Sequence, residues 1–216
     1  GVGKTTCAKI FAKAINCLNP KNGSPCGECE ACKALSDPSN VDVLEIDAAS
    51  NNRVDEIREL REKIGYTPVS CKYKVYIIDE VHMLTDSAFN ALLKTLEEPP
   101  RHAVFILATT EPHKLPATIL SRCMRFDFHL VSTEKLTDLL ISVFEKEGIK
   151  IEREAAREIA VKAEGGVRDC LSIAECVAAY SDKTITLEKT LQVLGVNDRE
   201  SLFDIADAVN KKDIGK

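Results

Sequence analysis

The first six residues, Gly1-Val2-Gly3-Lys4-Thr5-Thr6, constrain this chain more than any other stretch. They read as the second half of a phosphate-binding loop, whose whole pattern is G-x-x-x-x-G-K-[ST]. Gly1 and Gly3 let backbone N–H groups close around a triphosphate. Lys4 adds a point charge against the β/γ oxygens, and the Thr5 hydroxyl, with Thr6 beside it, is placed to ligate Mg²⁺. Ala8, Ile10, Phe11, Ala14 and Ile15 then form an apolar run that suits the helix whose N-terminus would face the phosphates. The first glycine of the pattern would lie upstream of Gly1, and the sequence opens without Met. It is therefore expected to be part of a longer protein. A short Gly-Lys-Thr run also serves as an ordinary helix start, so the remainder of the chain has to decide.

With 216 residues, one large or two smaller domains are expected. Apolar residues make up 44% and charged residues 29%, the balance of a soluble globular protein. No run of about 18 apolar residues is present to span a membrane, and no signal segment is visible. The net charge of −5 argues against a surface coated in basic residues for nucleic acid, while leaving room for a local basic patch. Of nine cysteines, Cys17, Cys26, Cys29 and Cys32 fall in a C-x₈-C-x₂-C-x₂-C segment rich in turn formers. Four thiolates so spaced can surround a tetrahedral Zn²⁺, and the short steps let backbone N–H groups point at sulfur. The site has no spare ligand position, so a structural role is expected. Scattered cysteines elsewhere fit a reducing, cytoplasmic compartment.

Val41–Asp47 is β-branched and alternating and predicts a strand, followed by a capped helix entry at Ala48–Asn52. Val54, Ile57, Leu60 and Ile64 mark that helix, which Gly65–Pro68 ends. Tyr73–Ile78 predicts a buried strand ending in Asp79 and Glu80. A helix carrying Phe89, Leu92, Leu93 and Leu96 stops at Pro99-Pro100. Ala103–Ala108 predicts a second buried strand ending in Thr109-Thr110. A short helical stretch after Pro116 reaches Ser121-Arg122-Cys123, and Arg125–Phe128 reads as a last strand. Beyond Ser132 only helices are expected, over 133–147, 152–163, 167–180 and 187–194, with Gly165-Gly166 as a separator. Glu200–Asn210 is amphipathic and reads as the start of a further domain. The expected organisation is an α/β core over 1–131, a helical lid over 132–195 and the truncated start of a further domain over 196–216, which the family resemblance given below implies to be a collar.

Alternating strands and helices imply a parallel sheet, and ligands of such sheets bind at the carboxyl ends of the strands. The phosphate loop, Asp79-Glu80 and Thr109-Thr110 would all lie on that edge. ATP hydrolysis needs Mg²⁺ near the phosphates, a group to poise water and positive charge for the transition state. Asp79 is placed to serve the metal and Glu80 the attacking water. Thr110 could bond the γ-phosphate or that water. Arg122 and Arg168 are candidate phosphate contacts, because a forked guanidinium suits phosphate oxygens. Surface arginines commonly just solubilise, and acids after a strand commonly just face water.

The combination of Gly-Val-Gly-Lys-Thr-Thr, the four-cysteine segment, Ile-Asp-Glu-Val-His-Met-Leu, Leu-Leu-Lys-Thr-Leu-Glu-Glu-Pro-Pro and Ile-Leu-Ser-Arg-Cys resembles the gamma/tau family of bacterial DNA polymerase III, the AAA+ ATPases of sliding-clamp loaders. The resemblance runs from end to end. It implies an AAA+ P-loop fold with a zinc insertion and helical lid, with Lys4 and Thr5 in Walker A and Asp79 and Glu80 in Walker B. It further implies Thr110 as sensor 1, Arg122 as an arginine finger acting on the adjacent subunit's ATP, and Arg168 as sensor 2. Cys17, Cys26, Cys29 and Cys32 would hold the zinc. The implied activity is ATP hydrolysis within the DNA polymerase holoenzyme, in a hetero-oligomeric ring that loads the sliding clamp onto primer–template DNA. Ser50–Asn52 and Arg53 are candidate contacts to the DNA backbone, though a simply capped helix explains them equally well. The alternatives are a branch-migration type AAA+ motor, a non-hydrolysing clamp-loader scaffold subunit and an inert α/β fragment. Intact Gly3-Lys4-Thr5 with Asp79-Glu80 argues against the scaffold, and the cysteine segment with Ser-Arg-Cys argues against the branch-migration motor.

Overall fold

The computed structural model describes residues 1–50, 59–60, 62–181 and 184–195. Arg53, Asn51, Asn52, Val54 and Ile57, and everything from Val196 on including Glu200–Asn210, lie outside the described residues. In chain order the elements are α1 Lys4–Asn16, α2 Glu30–Ala34, β1 Val43–Asp47, β2 Lys74–Asp79, α3 Asp86–Glu97, β3 Ala103–Leu107 and α4 Ala117–Leu120. They are followed by α5 Thr133–Lys146, β4 Lys150–Ile151, α6 Arg153–Lys162, α7 Val167–Ala179, β5 Thr184–Ile185 and α8 Leu187–Leu194. Contacts group the chain into two compact units, Lys4–Asp127 and a second made of Gly1–Gly3 with the chain from Phe128 on. None of the described helices is long and apolar enough to cross a membrane.

In the first unit β1, β2 and β3 form a parallel sheet in that order, with Asp47 opposite Asp79 and Ile78 opposite Leu107. β2 is the middle strand, and its apolar run Val75-Tyr76-Ile77-Ile78 is wholly buried because helices cover both faces. Side chains alternate between those faces. Val75 and Ile77 pack under α1, where Ala8 and Ala12 are small enough to let the helix lie close to the sheet. Tyr76 and Ile78 face the other way, joining Leu60, Ile64, Phe89 and Leu92 in the larger core cluster. α1 stops at Asn16, which is buried and bonds both Tyr73 backbone groups and the Ala12 carbonyl, fixing the helix end to the start of β2. Thr85 caps α3 by accepting from the Ala88 N–H. The helix ends just ahead of Pro99, as the crowding before a proline requires.

Two sequence expectations need correction here. β3 is half-buried rather than buried, because among the described residues it lies at the edge of this sheet, with a strand on one side only. Arg125–Phe128 is not a strand. The alternation of Phe126 and Phe128 signals an apolar face, but a strand exists through its ladder, and among the described residues no strand pairs with these. Met124 and Phe126 accordingly stand 82% and 74% exposed.

In the second unit α5, α6, α7 and α8 pack around Leu136, Leu140, Ile159, Cys170 and Val177. Ala155, Ala156 and Ala160 make the core face of α6 narrow, so its neighbours approach closely. The expectation of helices alone misses a small parallel pair, β4 with β5, whose Ile151 and Ile185 are partners. Two-residue strands are too short to show an alternation. Gly165 separates α6 from α7 for two reasons at once. Its φ is +83°, and a Cβ there would come within 2.7 Å of the Leu130 Cβ.

Candidate functional site

Gly3 takes a φ of +91°, which only a glycine adopts freely, and the next residue begins α1. The first turn of that helix carries the groups that matter. Thr5 Oγ1 donates to Asp79 Oδ2 at 2.7 Å, and Lys4 Nζ donates to the Thr109 carbonyl at 3.0 Å. Thr6 is exposed beside them. Asp79 is the last residue of β2, and its other oxygen accepts the Glu80 N–H at 2.9 Å. Glu80 itself sits at φ +45°, ψ +44°, a left-handed conformation that costs a non-glycine residue of order 1–2 kcal/mol. That turn takes the chain out of the sheet at its carboxyl edge and swings the Glu80 side chain toward the tip of β3. There Thr110 donates to Glu80 Oε2 from its N–H at 3.2 Å and its hydroxyl at 2.9 Å.

Thr5, Asp79, Glu80 and Thr110, chosen from motifs far apart in sequence, are thus joined by direct hydrogen bonds, and Lys4 reaches the carbonyl of Thr109 beside them. The Thr5 hydroxyl and the Asp79 carboxylate are hard oxygen donors side by side, the donor set that Mg²⁺ takes beside phosphate oxygens. The structure adds residues that the sequence reading passed over. His82, whose side chain is only 7% exposed, places Nδ1 2.9 Å from Thr109 Oγ1 and 3.3 Å from Glu80 Oε2. Its Nε2 lies 3.2 Å from Glu111 Oε2. The hydrogen bond from Lys114, helped by the charges of Lys114 and His82, holds the Glu111 carboxyl below the usual carboxylate range. His82 stood in plain view two residues after Glu80, but nothing in a linear sequence shows what its ring would reach.

Two of the expected residues are not part of this group. Arg122 donates to the Thr118 carbonyl at 2.7 Å and to Glu97 Oε1 at 3.0 Å. Arg168 lies in the second unit, on the first turn of α7, where its N–H donates to the Gly1 carbonyl at 3.1 Å. The Gly1 nitrogen in turn donates to Asp169 Oδ2 at 2.8 Å. Ser50 donates to Asp47 Oδ2 at 2.7 Å at the end of β1.

The cysteine segment folds on itself between α1 and β1. Asn22 and Gly23, both at positive φ, make a tight turn that brings Lys21 and Ser24 into mutual backbone hydrogen bonds. Cys29 caps the start of α2, and Cys32 lies buried within it. All four sulfurs fall within 4.8 Å of one another, with Cys17–Cys29 at 3.9 Å and Cys26–Cys32 at 4.0 Å. Four thiolates at ~2.3 Å from a central ion would stand about 3.8 Å apart, so the cluster fits a tetrahedral thiophilic cation. Backbone N–H groups do point at sulfur, Cys26 to Cys17 at 3.2 Å and Cys29 to Cys26 at 3.4 Å. N–H groups of Leu18 and Cys32 bring the Cys29 thiol down to about 6, and those of Glu28 and Cys29 lower Cys26. Burial pushes Cys32 up to about 12.

A parallel sheet with Gly-Lys-Thr-Thr opening a helix and Asp-Glu following the central strand is the P-loop fold of AAA+ proteins. The fold agrees with RuvB of Thermotoga maritima, described as a Holliday junction branch migration motor, at a TM-score of 0.65 over 91% of this chain and 58% of that one, with 18% identity. Residues 1–132 match the family model for the DNA polymerase III delta subunit, and residues 135–183 match that for the ATPase lid domain of the DNA polymerase III clamp loader subunit. The chain belongs to this family of DNA polymerase III subunits. It is 48% identical over 214 residues to DNA polymerase III subunit tau of Bacillus subtilis, and 42% identical over 216 residues to subunit gamma of Buchnera aphidicola. Those alignments take in 99% and 100% of this chain and span 38% and 60% of the two relatives.

Proposed function

We propose that this chain is the ATPase motor part of a bacterial clamp-loader subunit, one that uses ATP binding and hydrolysis to place a sliding clamp on primer–template DNA. The observation that carries the reading is the convergence of Lys4, Thr5, Asp79, Glu80 and Thr110 at the carboxyl edge of the sheet. In this reading Lys4 and the backbone of Gly1 and Gly3 hold the phosphates, and Thr6 extends that cradle. Thr5 and Asp79 hold Mg²⁺, which supplies charge neutralisation at the β and γ oxygens. Glu80 orients the attacking water, and Thr110 keeps the Glu80 carboxylate aimed. Arg122 serves ATP bound by a neighbouring subunit, a role supported by its Ser-Arg-Cys motif and its exposure. Arg168 enters through its Gly-Gly-Val-Arg-Asp motif as a reporter of nucleotide state. Cys17, Cys26, Cys29 and Cys32 hold a structural zinc, which their sulfur spacing supports. The partners are other clamp-loader subunits, the clamp and DNA, in the cytoplasm.

The test is ATP hydrolysis by the full-length protein assembled with its companion subunits, with and without clamp and primer–template DNA. Stimulation by both, lost in Arg122→Ala while ATP binding persists, is the expected result. Hydrolysis indifferent to clamp and primer junction would move the reading to another AAA+ motor, of the branch-migration kind.

A further inference from the structure

The acid proposed to orient water is not held by Thr110 alone. Among the described residues, the three polar contacts of the Glu80 carboxylate fall on one oxygen, Oε2, namely the Thr110 N–H at 3.2 Å, the Thr110 hydroxyl at 2.9 Å and His82 Nδ1 at 3.3 Å. A carboxylate clasped on one oxygen has its plane set and presents the other, Oε1, to a water. The third member of the clasp differs from the first two. Thr110 belongs to the tip of β3, whereas His82 follows Glu80 in the 3₁₀ turn Val81–Met83 just past β2 and reaches across to Thr109 Oγ1 at 2.9 Å and Glu111 Oε2 at 3.2 Å. Its ring therefore touches both sides of the junction between the end of β2 and the residues after β3.

That junction is further tied. Thr109 Oγ1 accepts the Glu111 N–H at 2.9 Å, and Lys114 pairs with the Glu111 carboxylate at 2.6 Å. Lys4 donates to the carbonyl of the same Thr109 at 3.0 Å. A ring carrying two protons donates from Nδ1 to Thr109 Oγ1 and sets its positive charge between the two carboxylates. A ring carrying one on Nε2 accepts from the Thr109 hydroxyl and keeps that N–H 3.2 Å from Glu111 Oε2. In both forms it ties the Glu80 turn to residues 109–111, and because the side chain is 93% withdrawn from water, little solvent competes for those bonds (its exposure is 7%).

We infer that His82 is a positioning residue for the hydrolytic reaction, one that fixes Glu80 against the segment 109–111 so that Oε1 meets the water in a single orientation. The inference rests on the reading of Glu80 as the water-orienting acid. It gives the strained left-handed turn at Glu80 a purpose, since that turn is what brings Glu80 and His82 onto the same side of the strand tip. It also separates His82 from nucleotide binding. Among the described residues the ring has no hydrogen bond or ion pair with the phosphate loop, so its loss should act on turnover and spare affinity.

The experiment is steady-state ATP hydrolysis by the full-length protein in its assembly, with the affinity for a fluorescent ATP analogue measured in parallel. The variants are His82→Ala, His82→Asn, His82→Gln and Lys4→Ala. His82→Ala should lower kcat about tenfold while the analogue binds within about twofold of the unaltered protein. The Asn amide reaches about where Nδ1 lies and should restore most of the rate, whereas the Gln amide reaches toward Nε2 and should restore little. Unchanged kcat in His82→Ala would overturn the inference. So would a parallel loss of kcat and affinity with no recovery in His82→Asn, which would mark a purely structural ring. Thermal unfolding of each variant identifies any that fail to fold, and His82→Asn, which keeps size and polarity, remains decisive if His82→Ala is one of them. Lys4→Ala separates the two levels. If the unaltered protein hydrolyses no ATP, or Lys4→Ala hydrolyses it equally well, the reading of the site as an ATPase fails and the inference fails with it. If Lys4→Ala is inactive and His82→Ala is not impaired, the inference alone falls.

Discussion

The cysteine cluster and the sheet-edge site both gather atoms able to ligate a cation, yet they are assembled by opposite means. The cluster draws all its ligands from residues 17–32, and closing so short a loop costs little entropy. The sheet-edge site joins Thr5 to Asp79 and Glu80 to Thr110, partners separated by 74 and 30 residues. Only the parallel register of β1, β2 and β3 brings those ends to one edge. A local site depends on its own ligands, whereas a distributed one inherits its geometry from the whole core. Damage to each should therefore spread differently.

The largest effect is expected at the distributed site. Glu80→Gln keeps the shape but removes the charge, and should lower kcat about 10²- to 10⁴-fold with ATP binding intact. Single-turnover hydrolysis and analogue binding check it, and a loss smaller than tenfold would deny Glu80 its role. Next comes Cys29→Ser, which removes a ligand and should weaken metal binding by more than about a hundredfold. Zinc content by mass spectrometry should fall from about one per chain toward none, and limited proteolysis should cut within 17–36. If ATP binding fell equally, the two sites would not be independent and the comparison would break.

A smaller effect tests how the sheet is fixed. Asp42 is fully buried just ahead of β1 and accepts the Val69 N–H at 2.8 Å, the Ser70 N–H at 2.7 Å and the Ser70 hydroxyl at 2.9 Å. Burial alone would raise its carboxyl, but these donors outweigh it and hold the group below its ordinary 3.8. A lowered folded-state value means stability that is fully present above 3.8 and lost as pH falls through the folded value. Asp42→Asn should cost about 1–3 kcal/mol near neutral pH by urea unfolding. Its deficit should shrink in acid, because the unaltered chain then loses the same interaction. A deficit constant with pH would refute the account. Glu97→Gln should matter least to stability. The Arg122–Glu97 pair is exposed, so its loss should shift unfolding by no more than about 0.5 kcal/mol.

Most elements were legible because their signals are local. The apolar run of β2, the amphipathic spacing of α3 and α5, and the cysteine steps each state their structure within a few residues. Misreadings occurred where the answer lay elsewhere in the chain. Phe126 and Phe128 alternate as a strand would, but pairing needs a neighbour that the residues themselves do not supply. β4 and β5 carry too few residues to show a pattern, and become strands only because Ile151 meets Ile185 in the second unit's core. α2 was hidden within the cysteine segment, where turn formers dominate the composition.

The same division holds for chemistry. By itself the sequence determined which groups could act: a phosphate loop in Gly3-Lys4-Thr5, an acid pair in Asp79-Glu80 and four thiols at metal-ligand steps. Residue type and short spacing suffice for that, since they fix charge, donor chemistry and local reach. Only the tertiary structure decided which of these groups meet. It set the Glu80 turn at positive φ, put Thr109 under Lys4, and enclosed His82 between two carboxylates. Those contacts depend on strand order and register, which arise from burying β2 between two layers of helices and are written at no single place in the chain.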